Sequence, residues 1–373
     1  VVDTALAHHP GAAAVLGPVL DGRAAPSHAY LFHGPGGSGK RSCARELAAM
    51  LLSEGSIEPD SARARALSGV HPDLSWIVPS GAHEVLVADV DEPLVAAASR
   101  TPFEAKRRVF VLEGADELGE EAANRMLKTL EEPASYVHII LIAERLQDVL
   151  PTIRSRCLSV HFEAPPESEL VAGLEAGGCE HERAIACARL AFSDGHEAQA
   201  LASADGKLLR ECAQALVQLA LRGEVETRSP WTALLDAAKQ RGEEAGGELE
   251  EAMNRALELY PRRERKRAQS DWGDRIKRGR RRAQTAALDQ ALTLAEAWLI
   301  DLAALAWGAD DVVRNVDQRS ALAADAEISH GRDPRALRAA VELIEDTRSR
   351  LSLNVSEELA CEALSYRLEE ALA

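Results

Sequence analysis

Aromatic residues are scarce in this chain of 373 residues, at 4% of the total. With Ala, Leu, Glu and Arg dominating instead, most of the chain is expected to be helical. Cysteines are few and scattered: Cys43, Cys157, Cys179, Cys187, Cys212 and Cys361. None forms a C-x-x-C pair, and no histidine stands at zinc spacing beside two of them, so neither a metal site nor a disulfide is expected. Single cysteines of this kind fit a reducing cytoplasm. No uninterrupted apolar run reaches membrane-spanning length. Residues 291–309 come nearest, but Glu296 and Asp301 interrupt them, which predicts a buried helix. The opening residues lack the basic-apolar-small pattern of a secretory leader. Positive charge is lacking too: the net charge of −17 excludes a protein that coats nucleic acid with its whole surface and leaves room only for local basic patches.

What the chain does have is organised around residues 29–41. A short apolar strand from Ala29 to Phe32 runs into a glycine-rich turn, and a helix-forming segment begins at Ser42. Gly34, Gly39 and Lys40 match the phosphate-loop pattern G-x-x-x-x-G-K, with Gly36, Gly37 and Ser38 inside it. Glycine suits this loop because backbone N–H groups must face a polyphosphate with no Cβ in the way. The helix start adds a positive dipole end, and Lys40 would bridge the outer phosphates. The next position departs from the pattern. A Ser or Thr whose hydroxyl ligates Mg²⁺ is expected there, and Arg41 stands in its place.

Further apolar runs follow at Leu74–Val78, Arg107–Leu112, Val137–Ala143 and Leu158–Phe162, separated by helical patterns at 89–100 and 116–132. Five alternations of strand and helix predict a doubly wound α/β domain with a parallel five-stranded sheet, whose ligands bind at the carboxyl ends of the strands. Pro165-Pro166 marks a boundary, and no convincing strand follows it. Long Ala/Leu/Arg/Glu segments then alternate with breaks expected at Ser229-Pro230, Gly246-Gly247 and Gly308. The expected domains are an α/β core over 1–165, a small helical lid over 166–205 and an all-α region over 206–373.

An acid at the end of a second core strand ordinarily serves the metal and the attacking water. The strand ending at Leu112 leads into Glu113-Gly114-Ala115-Asp116-Glu117. Glu113 could serve a metal; Gly114 stands where a catalytic Glu is expected and cannot activate water. Asp116 and Glu117 are expected to open the following helix, where its dipole favours acids.

Four segments carry a resemblance: Ser27–Pro35, His71-Pro-Asp73, Ala123-Asn-Arg-Met-Leu-Lys-Thr-Leu-Glu-Glu-Pro133 and Pro151-Thr-Ile-Arg-Ser-Arg-Cys157. Together they resemble the clamp-loader family of AAA+ proteins, over about residues 27–165. The resemblance implies an AAA+ core, a lid and a C-terminal collar that joins subunits into a hetero-oligomeric ring. It also implies gamma/tau-type and delta subunits, a sliding clamp and primer-template DNA as partners, with no membrane involved. Family members carry an arginine finger in a Ser-Arg-Cys motif, which marks Arg156 as a residue acting on a neighbour's ATP. A guanidinium suits that role because it is permanently charged and binds phosphate oxygens bidentately. Many relatives hold a four-cysteine zinc module before the His-Pro-Asp segment. Only Cys43 lies nearby here, so no zinc is expected and that segment needs other support.

Arg41, Gly114, Ala143 (in place of a polar sensor at the end of the fourth strand) and the arginine-free Gly195-His-Glu-Ala-Gln199 together suggest a retired motor. Such a loop could bind ATP or ADP without efficient hydrolysis. Two other readings stay open: an autonomous gamma/tau-like ATPase, and a scaffold whose loop binds nothing. The basic run 262–282 is read first as a solvated helix face with Trp272 and Ile276 turned inward, and second as a contact for DNA phosphates. His8, His9, His28 and His33 are not expected to form a metal cluster, and Cys157 is expected to pack rather than react.

Overall fold

Val109 to Leu112 and Val137 to Ala143 are apolar at nearly every position, the pattern of strands covered on both faces. In the computed structural model, which describes residues 6, 9–79, 84–259, 265–329, 334–351 and 355–373, they are the inner strands of a parallel sheet. Its strands are β1 (Ala29–His33), β2 (Leu74–Ile77), β3 (Arg108–Glu113), β4 (Val137–Ala143) and β5 (Leu158–His161), in the order β2-β3-β4-β1-β5. The described contacts divide the chain into two units, Val1–Pro165 and Pro166–Ala373.

Alternation along each strand feeds two separate cores in the first unit. Ala29, Leu31, Phe110, Leu112, Ile139 and Leu141 face one side. Tyr30, Phe32, Val109, Val111, Ile140 and Ile142 face the other. The helices α1 (Pro10–Leu20) and α2 (Lys40–Ser53) cover the second side through Leu16, Leu47 and Leu51. On the first side lie a short helix α4 (Val87–Val90), continued by a π-helical turn over Asp91–Ala96, and α5 (Glu120–Glu131). Between α2 and β2 sits α3 (Pro59–Leu67), which buries Ala62 and Ala66. Ion pairs Arg63–Glu46 and Arg65–Glu104 tie α3 down, the first to α2 and the second to the loop before β3. These pairs hold α3 against its neighbours in that stretch.

Asp73, 1% exposed, explains the second segment of the resemblance. Its carboxylate accepts the backbone N–H groups of Phe103 (2.6 Å), Glu104 and Ala105 (both 2.9 Å), so it organises the chain leading into β3. His71 Nδ1 accepts the Asp73 N–H, and its Nε2 lies 3.1 Å from Glu104.

Two expectations need correction here. The helix expected from Asp116 begins only at Glu120, because Gly114 takes a left-handed conformation, Ala115–Glu117 form a single 3-10 turn, and Leu118 is extended. Asp116 therefore opens no α-helix; its carboxylate accepts the N–H groups of Glu144 and Arg145, just past β4. The pattern at 89–100 is likewise not one α-helix but α4 followed by the π-helical turn, with Asp91, Glu92 and Pro93 at its start.

The second unit is all-helical among its described residues. It contains α6 to α15 in our numbering once the short helix Pro151–Arg154 of the first unit is set aside as a turn: α6 (Glu167–Ala176), α7 (His181–Leu190), α8 (Gly195–Ala202), α9 (Ala204–Arg222), α10 (Val225–Arg228), α11 (Pro230–Leu259), α12 (Arg265–Ala306), α13 (Arg319–Ser329), α14 (Pro334–Leu351) and α15 (Glu357–Leu372). One hydrophobic core runs through it from Val171 to Leu372. The break expected at Gly246-Gly247 does not occur, since α11 passes straight through. The nearby glycines serve a helix–helix approach instead: a Cβ on Gly242 would come within 2.8 Å of the Arg280 carbonyl, and one on Gly246 within 2.7 Å of the Arg280 guanidinium. Asp301, fully buried on α12, accepts the N–H groups of Arg314 and Asn315, and Glu296 pairs with Arg348, which accounts for both acids inside the 291–309 run.

Replacing Asp73 by alanine strands three N–H groups at once. Each buried donor left without a partner costs about 1–3 kcal/mol, so Asp73→Ala should lower unfolding stability by roughly 3 kcal/mol or more, read as a lower urea midpoint with an unchanged slope.

Candidate functional site

The phosphate loop leaves the carboxyl end of β1, the strand held between β4 and β5, where a parallel sheet presents its ligand crevice. Gly34 has φ 141°, and a Cβ there would fall 2.0 Å from the Phe162 carbonyl oxygen. The strand residue just past β5 thus presses on the loop, and only glycine fits. Gly37 and Gly39 are also left-handed, at φ 65° and 82°, and Gly39 caps α2. Gly36 lies just before Gly37, in the turn.

Lys40 is 5% exposed and opens α2. Its ammonium donates to the carbonyl of Gly34 (2.5 Å), to the carbonyl of Pro35 and to the Ser38 hydroxyl (3.2 Å), which itself donates to Pro35. These bonds close the loop into a ring and hold the lysine extended along it. A phosphate would compete most easily with the longest of them, to Ser38.

Arg41 and Glu113, 72 positions apart, meet across the end of the sheet. The Arg41 guanidinium lies 2.6 Å from Glu113 Oε2, and the Trp76 indole N–H donates to Glu113 Oε1 at 2.7 Å. The Glu113 side chain is 10% exposed and that of Arg41 62%. The Arg45 guanidinium stacks 4.8 Å from the Trp76 ring centre, bracing the indole. The Gly114 position is committed to glycine: φ is 68°, and a Cβ would lie 2.9 Å from Pro79. Ala143 is buried in the apolar core and offers no polar group to a ligand. In the second unit, Asp194 caps α8 by accepting from His196 and Glu197.

Beside the loop, His33 at the end of β1 stacks on His161 of β5, with ring centres 4.9 Å apart. Burial holds His33 below the usual histidine range, and His161, Lys40 and Arg154 push it the same way. The positive field around the loop therefore extends past Lys40. No histidine-cysteine-carboxylate cluster fit for a metal occurs among the described residues. Cys157 packs against the sheet core, and burial raises its thiol to about 12, far from a reactive thiolate.

Arg156 is elsewhere. It follows the short helix Pro151–Arg154 and precedes Leu158, which pairs with Tyr30, whereas the loop begins beyond His33. Its guanidinium donates to Glu131 Oε1, to the Thr152 carbonyl (2.8 Å) and to the Ser155 hydroxyl (3.1 Å). These partners lie at the end of α5 and in its own turn, not at the phosphate loop. Within the described part of the basic run, Arg280 faces Glu250, Arg281 pairs with Glu357 at 2.9 Å, and Ile276 is buried. Residues 262–264 of that run lie outside the described residues.

Sequence reasoning had no means of pairing Arg41 with Glu113, nor of finding Trp76, Arg45 or Glu131 beside their arginines. The only signals were an acid at a strand end and the Glu-Glu-Pro of the α5 motif.

A parallel sheet in this order, a ring-shaped phosphate loop at the end of β1 and an acid at the end of β3 define an α/β phosphate-loop core, the architecture of AAA+ proteins. Residues 22–166 match the model of the family described as DNA polymerase III, delta subunit. The chain is 37% identical over 161 residues to DNA polymerase III subunit delta' of Pseudomonas aeruginosa, covering 42% of this chain and 48% of that protein. It is 39% identical over 141 residues to the subunit of the same name in Bacillus subtilis, covering 37% of this chain and 42% of that protein. The chain thus spans about half the length of the curated relatives it matches. A solved DNA polymerase III gamma subunit-related protein from Thermotoga maritima aligns with 97% of this chain and 100% of its own, at 15% identity and a TM-score of 0.42, too low to carry weight. The resemblance read from the sequence therefore holds for the segment that builds the site.

Burial also lowers His71 and His138, as it does His33. Folding thus favours the neutral imidazoles, and the unfolded chain binds more protons as pH falls through about 6.5. Stability should be fully present above that range and decline below it. NMR titration should give midpoints for all three below the ordinary histidine value; a midpoint above it would contradict the assignment.

Proposed function

We propose that the chain is a clamp-loader subunit of the delta-prime type, working in the replicative DNA polymerase III complex in the cytoplasm as a stator with no competent ATPase of its own. The observation that carries this reading is the phosphate loop itself, whose shape is kept while the groups that turn over ATP are not. Arg41 stands for the hydroxyl, Gly114 cannot accept a glutamate, and Ala143 is buried among apolar side chains. An ATP-hydrolysing gamma/tau-like motor is opposed by the same three positions.

In this reading the unit Val1–Pro165 is the nucleotide-binding-type core, 166–205 the lid and 206–373 the collar that joins gamma/tau-type and delta subunits in a hetero-oligomer. The ring opens the sliding clamp and sets it on primer-template DNA. ATP or ADP binds at Gly34–Lys40 without efficient hydrolysis, and no zinc is held. Arg156 supplies its guanidinium to the ATP of a neighbouring subunit. A surface arginine held by Glu131 is well suited to that role, because the carboxylate fixes the side chain and a phosphate can replace it as partner. A bare scaffold is the second reading, favoured by the three loop oxygens that already accept from Lys40.

Two measurements test the proposal. In a reconstituted loader, Arg156→Ala should cut ATP-driven clamp loading by ~10³-fold or more, the scale of an arginine finger; loading at the normal rate would rule the finger out. The isolated chain should bind nucleotide, lose that binding in Lys40→Ala, and show no turnover. Turnover abolished by Lys40→Ala would make it a motor.

A further inference from the structure

We propose that Arg41 takes the place of the magnesium ion, so that this loop holds the polyphosphate of a nucleotide without a divalent cation. The inference rests on the nucleotide-binding reading above and specifies how that site works.

Magnesium binds through nearly octahedral oxygen ligands and in P-loop proteins takes a loop hydroxyl and a strand acid from the chain. The residues here do not fit it. The hydroxyl position carries a guanidinium, which has no lone pair to offer. The nearest acid, Glu113, has both oxygens engaged: Oε2 by Arg41 at 2.6 Å and Oε1 by the Trp76 indole at 2.7 Å. That carboxylate is largely buried, so the charge-assisted bond to Arg41 is not a loose surface pairing. A dication entering between them would have to break that bond and then stand beside the displaced guanidinium, a like charge. Stacking of Arg45 on Trp76 fixes the indole and, through it, the carboxylate.

The same arrangement supplies what the metal would have provided. Arg41 is the residue next to Lys40 at the start of α2, so its charge is fixed at the mouth of the loop. Its hydrogen bond to Glu113 uses one of five N–H donors, and the side chain is 62% exposed. A planar guanidinium with donors to spare matches phosphate oxygens in pairs. Lys40 and the start of α2 complete a positive site built from the chain alone. The ligand class is a nucleoside di- or triphosphate free of metal.

The test is binding of a fluorescent ADP analogue to the full chain, in excess EDTA and in excess magnesium. The wild-type dissociation constant should agree within about twofold between the two conditions, since no metal term enters. Arg41→Ser should weaken binding in EDTA by about tenfold or more, the worth of one charge-assisted contact, and magnesium should recover part of that loss. Wild-type binding that tightens tenfold or more with magnesium would overturn the inference while leaving the nucleotide site intact. No binding in either condition would overturn the site and the inference together. An Arg41→Ser chain that binds like wild type in EDTA would remove Arg41 from the role. The wild-type comparison needs no variant to fold, so the inference can fail on it alone.

Discussion

β1 is covered on both faces and paired on both edges, and the rest of the first unit follows from that confinement. A strand with β4 on one side and β5 on the other can release its chain only at its carboxyl end. There the loop meets the Phe162 carbonyl so closely that Gly34 has no room for a side chain. Burial of Tyr30 and Phe32 on one face and Leu31 on the other fixes the height at which the loop leaves. Lys40 then closes the ring by donating to the loop's own carbonyls. The loop's shape is thus held by packing and internal hydrogen bonds, which is why it can survive the loss of catalytic partners around it.

The positions that differ from a working ATPase are not idle. Each has been absorbed into the architecture. Arg41 and Glu113 neutralise one another at the sheet end, Gly114 makes a left-handed turn against Pro79, and Asp116 holds the chain that follows β4. Restoring a serine at 41 or a glutamate at 114 would therefore leave the largely buried Glu113 without its cation or force a Cβ into a proline. These departures from the ATPase pattern are thus built into the packing rather than confined to a single residue.

Carboxylates that accept several backbone N–H groups recur as the devices that hold irregular chain in place. Asp73 does so before β3, Asp116 after β4, and Asp301 under residues 314–315 of the second unit. An ionised acid can accept more than one donor at each oxygen, so one side chain satisfies two or three orphan groups. In the stretch between α2 and β2 the ion pairs of Arg63 and Arg65 add to this and hold α3 in place.

Much of the core was legible in the sequence because its signals are local. Runs such as Val137–Ala143 can only be buried strands, and the glycine spacing with Lys40 describes a loop whose contacts are nearly all within a few residues. The all-helical second unit was legible from composition for the same reason. Local pattern misled where a distant neighbour decided the outcome: Gly246-Gly247 looks like a break, but the helix continues and Gly246 lets Arg280 approach, and Asp116 looks like a helix opener but is claimed by the chain beyond β4. Arg41 is the sharpest case. The sequence by itself determined that a cation replaces the expected hydroxyl. Only the tertiary structure decided what that cation does, because the acid it meets lies 72 residues away and is brought to it by the pairing of strands.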